Sequence, residues 1–147
     1  MKKACLGLFA VALLAFAAIG AEEKKEEFGK CPVSGKAAVG DKTVDYKGGK
    51  VYLCCGGCPD AFKKDTAKFA AKANQQLVVT GQYKETKCPL SGGKLNTETA
   101  IDVSGTKVCF CCNNCKGKVE AKTGNEQLEM VFNDTAFGKG FEAAKKK

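Results

Sequence analysis

Ten of the 147 residues are cysteine, and eight of these cysteines form one spacing pattern that occurs twice. In each copy a single cysteine lies 23 residues before a pair of adjacent cysteines, and a further cysteine follows the pair after two intervening residues. These residues are Cys31, Cys54, Cys55, Cys58, Cys88, Cys111, Cys112 and Cys115. Thiolates at chelating spacings are typical ligands of Zn²⁺ and of Cu(I). The pattern therefore predicts one soft-metal site in each copy.

Two cysteine pairs in each group have the spacing of a metal chelate. In copy one, Cys54 and Cys58 are separated by three residues, and Cys55 and Cys58 are separated by two. Soft thiolates equally suit Cu(I), for which two or three ligands are enough, whereas a structural zinc site has four ligands. Cys55 and Cys112 are therefore candidate fourth ligands. An open three-thiolate site and a closed four-thiolate site both fit the spacing.

The two cysteine patterns lie in a longer internal repeat with an offset of 57 residues. The stretch Lys30–Gly35 returns as Lys87–Gly92, and Cys54–Cys58 returns as Cys111–Cys115 in the same register. Unrelated loops do not keep such a register, so the chain is interpreted as a duplicated module. A module of about 50 residues commonly needs disulfides or a metal ion for stability.

A β-hairpin is predicted between the first cysteine and the cysteine pair of each copy. The expected turns are Gly48-Gly49 in copy one and Ser104-Gly105 in copy two, because such dipeptides between β-branched runs favour two-residue hairpins. The strand-like runs are 43–46, 51–53, 101–103 and 108–110. Since the strands of a hairpin are antiparallel, this element brings the first cysteine back toward the later cysteines.

A helix is expected to begin at each later cysteine group. In copy one it begins at Pro59, a residue favoured at the first helical position, and reaches about Ala73. In copy two a shorter helix is predicted for about 116–123. Residues 77–83 and 128–132 are predicted to form the strand that closes each module. The expected fold class is α+β, with a hairpin, a helix and a closing strand in each of two tandem modules.

The N-terminal residues have the three-part layout of a secretory signal peptide. Lys2 and Lys3 precede an apolar run from Leu6 to Ile19, and small residues up to Ala21 are followed by a charged leader. The run is shorter than a membrane span of about 20 apolar residues, and a retained anchor is the alternative interpretation. The prediction is export to the periplasm or out of the cell, with no membrane span after cleavage.

The predicted organisation has five segments along the chain. They are a signal peptide at 1–21, a charged leader at 22–29, a first module at 30–84, a second module at 85–132 and a lysine-rich tail at 133–147. Cys5 lies in the signal peptide and is expected to be removed with it. Phe137 and Phe141 suit a short additional helix at the start of the tail.

The composition excludes several classes of site. The chain has no histidine, which excludes a His-based catalytic triad, a histidine metal ligand and an imidazole pH switch. All 24 basic residues are lysine, and without arginine no sequence-specific nucleic-acid partner is expected. The sequence shows no carboxylate pair and no nucleophile–base arrangement of the kind that would indicate an enzyme. The expected partner is a metal ion, and another exported or membrane protein is a second candidate.

Each copy resembles the TRASH/YHS family of small cysteine-rich metal-binding modules. The family pattern has a cysteine, a long spacer and then Cys-x3-Cys at a hairpin-to-helix junction. The matching residues are Cys31, Cys54 and Cys58 in copy one, Cys88, Cys111 and Cys115 in copy two, and the flanking Tyr46, Gly48, Tyr52 and Phe62. The resemblance covers about residues 30–73 and 87–123. It implies a treble-clef-like fold and a role in heavy-metal sensing, trafficking or resistance.

The chain departs from the family pattern beside the first cysteine of each copy. The YHS form usually carries cysteine where this chain has Ser34 and Ser91, and a different residue where it has Cys31 and Cys88. Related zinc modules use both positions, which would complete a four-ligand site. In this chain the fourth ligand would come from Cys55 and Cys112 or from solvent, or it would be absent. The resemblance thus leaves both the closed site and the open site as expectations.

Cys109 is the odd cysteine of copy two and takes the place of Tyr52. On a strand its side chain points away from those of Val108 and Phe110. A spare thiol, or a cysteine that pairs with a partner, is therefore favoured over a metal ligand.

Two other interpretations of the cysteines stay open. Export to an oxidising compartment makes a disulfide-stapled structural or interaction module an alternative, and the four cysteines of a module allow three pairings. Cys55–Cys58 and Cys112–Cys115 also have the spacing of a thiol–disulfide oxidoreductase. That third interpretation is less favoured, because no βαβ pattern of a thioredoxin fold surrounds either motif.

Overall fold

The computed structural model describes residues 28–145. The predicted signal peptide with Cys5, most of the charged leader and the last two lysines lie outside the described residues. The described part is α+β, as predicted. None of its helices combines the length and the apolar character that a bilayer crossing requires. Its elements are β1 (Val39–Tyr46), β2 (Gly49–Leu53), α1 (Cys58–Lys64), α2 (Thr66–Val79), β3 (Tyr83–Glu85), β4 (Asn96–Val103), β5 (Thr106–Phe110), α3 (Asn113–Glu120), α4 (Gly124–Phe132), α5 (Asp134–Gly140) and β6 (Phe141–Ala143).

The two predicted hairpins are confirmed, and each connects its strands through two residues. β1 pairs antiparallel with β2, and β4 pairs antiparallel with β5. The second turn is Ser104-Gly105 as predicted, with φ angles of 53° and 85°. The first turn is Lys47-Gly48 and not Gly48-Gly49, with φ angles of 51° and 76°. Both turns therefore have the two positive φ angles that a type I′ turn requires.

Gly49 is needed for close packing and not for the turn. It is the first residue of β2 and pairs with Tyr46. A Cβ atom at Gly49 would lie 2.8 Å from side-chain atoms of Leu77 and Gln82, which is closer than a normal contact. The absence of a side chain at Gly49 therefore lets the hairpin pack against the end of α2 without displacing the ends of the Leu77 and Gln82 side chains.

The helix predicted from Pro59 to about Ala73 is two helices. α1 ends at Lys64, and the Asp65 side chain caps α2 by accepting a hydrogen bond from the Lys68 N–H at 3.2 Å. A side-chain acceptor of this kind satisfies one of the unpaired N–H groups at a helix start. A new helix therefore begins after Asp65, although the helical pattern of the sequence is continuous there.

The closing strands predicted at 77–83 and 128–132 are wrong. α2 extends to Val79, and α4 includes all of 128–132. The residues that these helices bury in the core recur at helical intervals. This packing overrides the β propensity of the valine-containing stretches. The buried residues concerned are Leu77, Leu128, Val131 and Phe132.

The helices of copy two also differ in extent from the prediction. α3 begins at Asn113, three residues before the predicted start of 116–123, and ends at Glu120. The short helix expected near the tail is α5. It contains Phe137 but ends before Phe141, which begins β6.

The strands that follow the helices, β3 and β6, pair with each other. Lys84 lies opposite Glu142 in an antiparallel register. β3 follows the helices of copy one and β6 follows those of copy two, at nearly equivalent places in the repeat. Each copy thus provides one strand of a two-stranded sheet that joins the copies.

One hydrophobic core includes residues from both copies. α2 of copy one packs against α4 of copy two. The Asn74 side chain donates a hydrogen bond to the Phe132 carbonyl at 2.8 Å, which connects the same two helices. Large residues of the core are Leu53, Phe62 and Leu77 from copy one, and Phe110, Val131 and Phe132 from copy two. The cysteine groups are therefore attached to a common core.

Candidate metal centres

The first candidate metal centre consists of Cys31, Cys54 and Cys58. Cys31 lies in the turn before β1, Cys54 directly follows β2, and Cys58 is the first residue of α1. The three sulfur atoms lie within 4.8 Å of one another, and the Sγ atoms of Cys54 and Cys58 are 3.6 Å apart. Thiolates that bind one ion at about 2.3 Å have sulfur atoms about 4 Å apart. The three thiols can therefore hold one ion.

The second candidate metal centre consists of Cys88, Cys111 and Cys115. Its three sulfur atoms also lie within 4.8 Å of one another, and the Sγ atoms of Cys111 and Cys115 are 3.6 Å apart. Cys88 is buried, and the other two are half-buried. Cys111 directly follows β5, and Cys115 lies in the first turn of α3. The sequence repeat therefore produces two sites of closely similar geometry.

A tight turn presents the first cysteine of each centre. The Gly35 N–H donates to the Cys31 carbonyl at 2.8 Å, and the Cys31 N–H donates to the Lys36 carbonyl at 2.7 Å. Gly35 has a φ of 74°, a left-handed conformation that favours glycine. Copy two repeats the turn, with the Gly92 N–H donating to the Cys88 carbonyl at 2.7 Å. The turn surrounds the cysteine sulfur with N–H groups of the residues that follow it.

These N–H groups stabilise the thiolate form of the first cysteine. Burial raises the pKa of Cys31, but hydrogen bonds from the Ser34 hydroxyl and from nearby backbone N–H groups outweigh this effect and lower the pKa to about 7. Burial likewise raises the pKa of Cys88, and hydrogen bonds from Ser91 and the backbone lower it to about 7. Because the thiolate is the metal-binding form, one ligand of each centre is ionised to a substantial extent, about half, at neutral pH.

A different environment holds a proton on the helical cysteine of each centre. The hydrogen bond with Cys55, together with burial, raises the pKa of Cys58 to about 12. Burial, together with the hydrogen bond to Cys111, raises the pKa of Cys115 to about 12. A metal ion that binds there replaces this proton, so loading of each centre releases protons.

Ser34 and Ser91 lie directly beside the two centres. The Ser34 Oγ is 3.0 Å from the Cys54 Sγ, and the Ser91 Oγ is 3.2 Å from the Cys111 Sγ. Sequence reasoning noted these serines only as departures from a cysteine pattern. Both serines occur at the same position of the repeat, and this was the sequence signal from which a role could have been inferred. A hydroxyl thus lies in contact with one sulfur of each triad.

Cys55 and Cys112, the candidate fourth ligands, lie at the outer edge of the centres. Both are exposed, and neither belongs to the groups of three sulfurs that lie within 4.8 Å of one another. The Cys55 Sγ is 3.2 Å from the Cys58 Sγ, whereas the Cys112 Sγ is 3.6 Å from the Cys111 Sγ. Their assignment as ligands stays a prediction. The sulfur of each exposed cysteine is in contact with one sulfur of its triad.

Cys109 lies outside both triads. Its neighbours Val108 and Phe110 are fully buried on one face of β5, and Cys109 is half-buried on the other, as the alternation of a strand predicts. Its N–H donates to Glu85 Oε2 at 2.9 Å. Burial raises the pKa of Glu85 to about 7. In copy one the equivalent place holds Tyr52, whose ring packs on that of Phe28 with centroids 4.7 Å apart.

The sheet topology bears on the oxidoreductase interpretation. Within residues 28–145 the sheets are β1–β2, β3–β6 and β4–β5, and each is a two-stranded antiparallel pair. A thioredoxin-type motif is expected beside a βαβ unit with parallel strands. In the same part of the chain all nine cysteines are free thiols.

Comparison with known proteins gives no match to this chain. No family model, curated protein or solved structure is similar to it. The two cysteine centres are therefore the features of the chain that indicate a function, and the resemblance to TRASH/YHS modules stays an expectation.

Proposed function

We propose that this protein binds soft metal ions, one in each cysteine triad, and takes part in metal trafficking or resistance as an exported protein. The observation that carries the proposal is the occurrence of two equivalent groups of three cysteine sulfurs, each within 4.8 Å. A single cluster can arise from core packing, but the repeat has kept the same three positions twice. The layout of residues 1–21 supports export.

Cu(I) is the ion that the centres suit best. Each triad offers three thiolates and no nitrogen ligand, since the chain has no histidine. Soft thiolates select Cu(I), whereas a structural zinc site has four ligands in a tetrahedron. Zn²⁺ is the second candidate, with Cys55 and Cys112 moving inward to supply a fourth sulfur. The proposal includes a treble-clef-like fold for each module, as in the TRASH/YHS family.

The test is native mass spectrometry of the mature protein purified from its own compartment without added metal. We expect two bound ions for each chain, and the mass difference identifies the metal. The double variant Cys31→Ser with Cys88→Ser is expected to lose both ions. Cys109→Ser removes a thiol outside the triads and is the matched control that keeps both ions.

A count of free thiols under denaturing conditions with a chelator accompanies the mass measurement. Nine reactive thiols with two bound ions support the proposal. One reactive thiol without bound metal would instead identify a disulfide-stapled module and contradict the proposal. Circular dichroism of the double variant separates a carrier from a structural site, because a carrier keeps its fold without metal whereas a structural site does not.

A further inference from the structure

We propose that Cys55 and Cys112 are exchange ligands, which take a metal ion from a small thiol donor and pass it to the triads. This inference rests on the proposed metal-binding function and concerns how the centres are loaded. It assigns to these two thiols a transient contact with the ion and not a place in the final ligand set.

Burial decides which sulfur a donor can reach first. Cys31 is 1% exposed, Cys58 is 6% exposed and Cys88 is 0% exposed. A metal ion that is still bound to a donor molecule cannot contact these sulfurs, because the donor would have to enter the protein with it. Cys55 and Cys112 are exposed beside the same centres. The remaining triad cysteines, Cys54, Cys111 and Cys115, are half-buried, so Cys55 and Cys112 are the most accessible thiols of the two centres and the ones that a donor complex meets first.

Short sulfur–sulfur distances make the second step possible. Cys55 lies 3.2 Å from Cys58, and Cys112 lies 3.6 Å from Cys111, measured between Sγ atoms. An ion bound to either exposed thiol is therefore within bonding reach of a triad sulfur. The same arrangement occurs in both copies, although the triad neighbour differs. Each exposed thiol can thus hold the ion while the first triad bond forms.

The exchange balances without any redox change. In the first step a bond forms between the metal and Cys55 or Cys112, and one bond between the metal and the donor sulfur breaks. The proton of the attacking thiol goes to the released donor thiolate. In the following steps the triad sulfurs replace the remaining donor sulfurs and then the exposed thiol, with the same transfer of protons. The ion keeps its charge throughout.

The surface around the exposed thiols favours a small anionic donor over a docking protein. Gly56 and Gly57 lie beside Cys55, and Asn113 and Asn114 lie beside Cys112, all of them exposed. Among residues 28–145, Val39 is the one large apolar side chain that is exposed. Stable protein interfaces usually have a buried apolar centre. Without residues 1–21 the chain has 22 lysines against 16 acidic residues and therefore a formal net charge of +6, and this positive charge instead attracts anionic thiol complexes of the soft ion.

The experiment measures the transfer of Cu(I) from its glutathione complex to the full mature chain under anaerobic conditions. Wild type is compared with Cys55→Ser plus Cys112→Ser, and Cys109→Ser is the matched control. We expect transfer to the double variant to be about tenfold slower, because a thiol held beside the triad acts at an effective concentration in the millimolar range. The final stoichiometry of two ions and the affinity measured by chelator competition should be unchanged.

A second donor separates exchange from general damage to the sites. Cu(I) in acetonitrile carries no thiol donor and is small enough to enter directly, so its uptake should be equal in wild type and the double variant. An unchanged rate from glutathione would overturn the inference alone. A large loss of affinity would also overturn it, because Cys55 and Cys112 would then be resident ligands. If wild type takes up neither Cu(I) nor Zn²⁺, the proposed function itself fails.

Discussion

The number of sulfurs in each centre depends on a single side-chain atom at residues 34 and 91. Ser34 and Ser91 place a hydroxyl oxygen 3.0 Å and 3.2 Å from a triad sulfur. An oxygen at this place is in hydrogen-bonding contact with the cysteine sulfur but is a poor ligand for a soft ion. With serine, each centre is a three-sulfur site unless an exposed cysteine moves inward. Serine at residues 34 and 91 thus favours an open site with three sulfurs over a closed site with four.

Replacing these serines by cysteine should therefore close the centres. In Ser34→Cys with Ser91→Cys, each site gains a fourth sulfur next to Cys54 or Cys111. We expect the affinity for Zn²⁺ to rise by about tenfold or more, since four thiolates complete the tetrahedral set that zinc prefers. Competition with a chromophoric chelator measures the change. Ser34→Ala with Ser91→Ala is the control, because it removes the hydroxyl and adds no ligand. Equal zinc affinity in the cysteine and alanine variants would contradict the three-sulfur description.

At the scale of elements, the hairpins and the cysteine positions could be predicted because their signals are local. Glycine at Gly48 and Gly105 marks the turns, and the repeated spacing marks the ligands. The end of α2 at 77–79 and the stretch 128–132 of α4 could not be told from strands in the same way. Their apolar stretches contain valine, and only packing against the core of the other copy selects the helical face. The position of Cys55 relative to its triad also depends on the three-dimensional turn and not on spacing.

The loop between the paired cysteines and α1 offers a test at this scale. Copy one has Gly56-Gly57 where copy two has Asn113-Asn114. A Cβ atom at either glycine meets no atom of the described residues within 4 Å. Gly57 has a φ of −84°, which asparagine also adopts. Asparagine therefore fits without strain and restricts the backbone, because glycine has the greater conformational freedom.

Gly56→Asn with Gly57→Asn should slow transfer of Cu(I) into the first centre while leaving its affinity unchanged. The measurement uses the glutathione complex of Cu(I) and a chain whose second centre is disabled by Cys88→Ser, so that a single site is observed. In copy two the equivalent residues are the first two of α3, so the reverse substitutions, Asn113→Gly and Asn114→Gly, loosen the first helical turn and are expected to speed transfer into the second centre when the first is disabled by Cys31→Ser. If these substitutions leave the transfer rates of both chains unchanged, the backbone freedom of the residues before the helical cysteine does not limit exchange.

At the scale of the whole molecule, the two copies form one folded unit. β3 pairs with β6, α2 packs on α4, and the core includes residues from both copies. A shared core means that neither copy can unfold without exposing apolar surface of the other. The two metal centres should therefore be lost together when the protein unfolds, although each centre is built by one copy alone. The pairing of β3 with β6 could not be predicted, because each strand has only three residues and weak local signals.

Asp134 provides a test of this coupling. It begins α5, and its Oδ1 accepts hydrogen bonds from the Lys47 Nζ at 2.8 Å, the Asn74 Nδ2 at 3.0 Å and the Tyr46 Oη at 3.3 Å. The carboxylate therefore connects the C-terminal helix to the first hairpin and to α2. The hydrogen bond from Lys47 lowers the pKa of Asp134 below its ordinary value of 3.8. Its stabilising contribution is thus present above that value and is lost as the pH falls through the lowered pKa.

We expect Asp134→Ala to lower the free energy of unfolding at pH 7 by about 1 kcal/mol, because the carboxylate is partly exposed and its ion pair is screened by solvent. Asp134→Asn retains the oxygen acceptor and should lose less. Thermal unfolding of the metal-loaded protein, followed by circular dichroism and by release of metal to a chromophoric chelator, measures both effects. Since the core is shared, Asp134→Ala should shift one common transition of structure and of both ions to lower temperature. Two separate metal-release steps would instead mean that the copies unfold independently and that the contacts between α2 and α4 do not couple the centres.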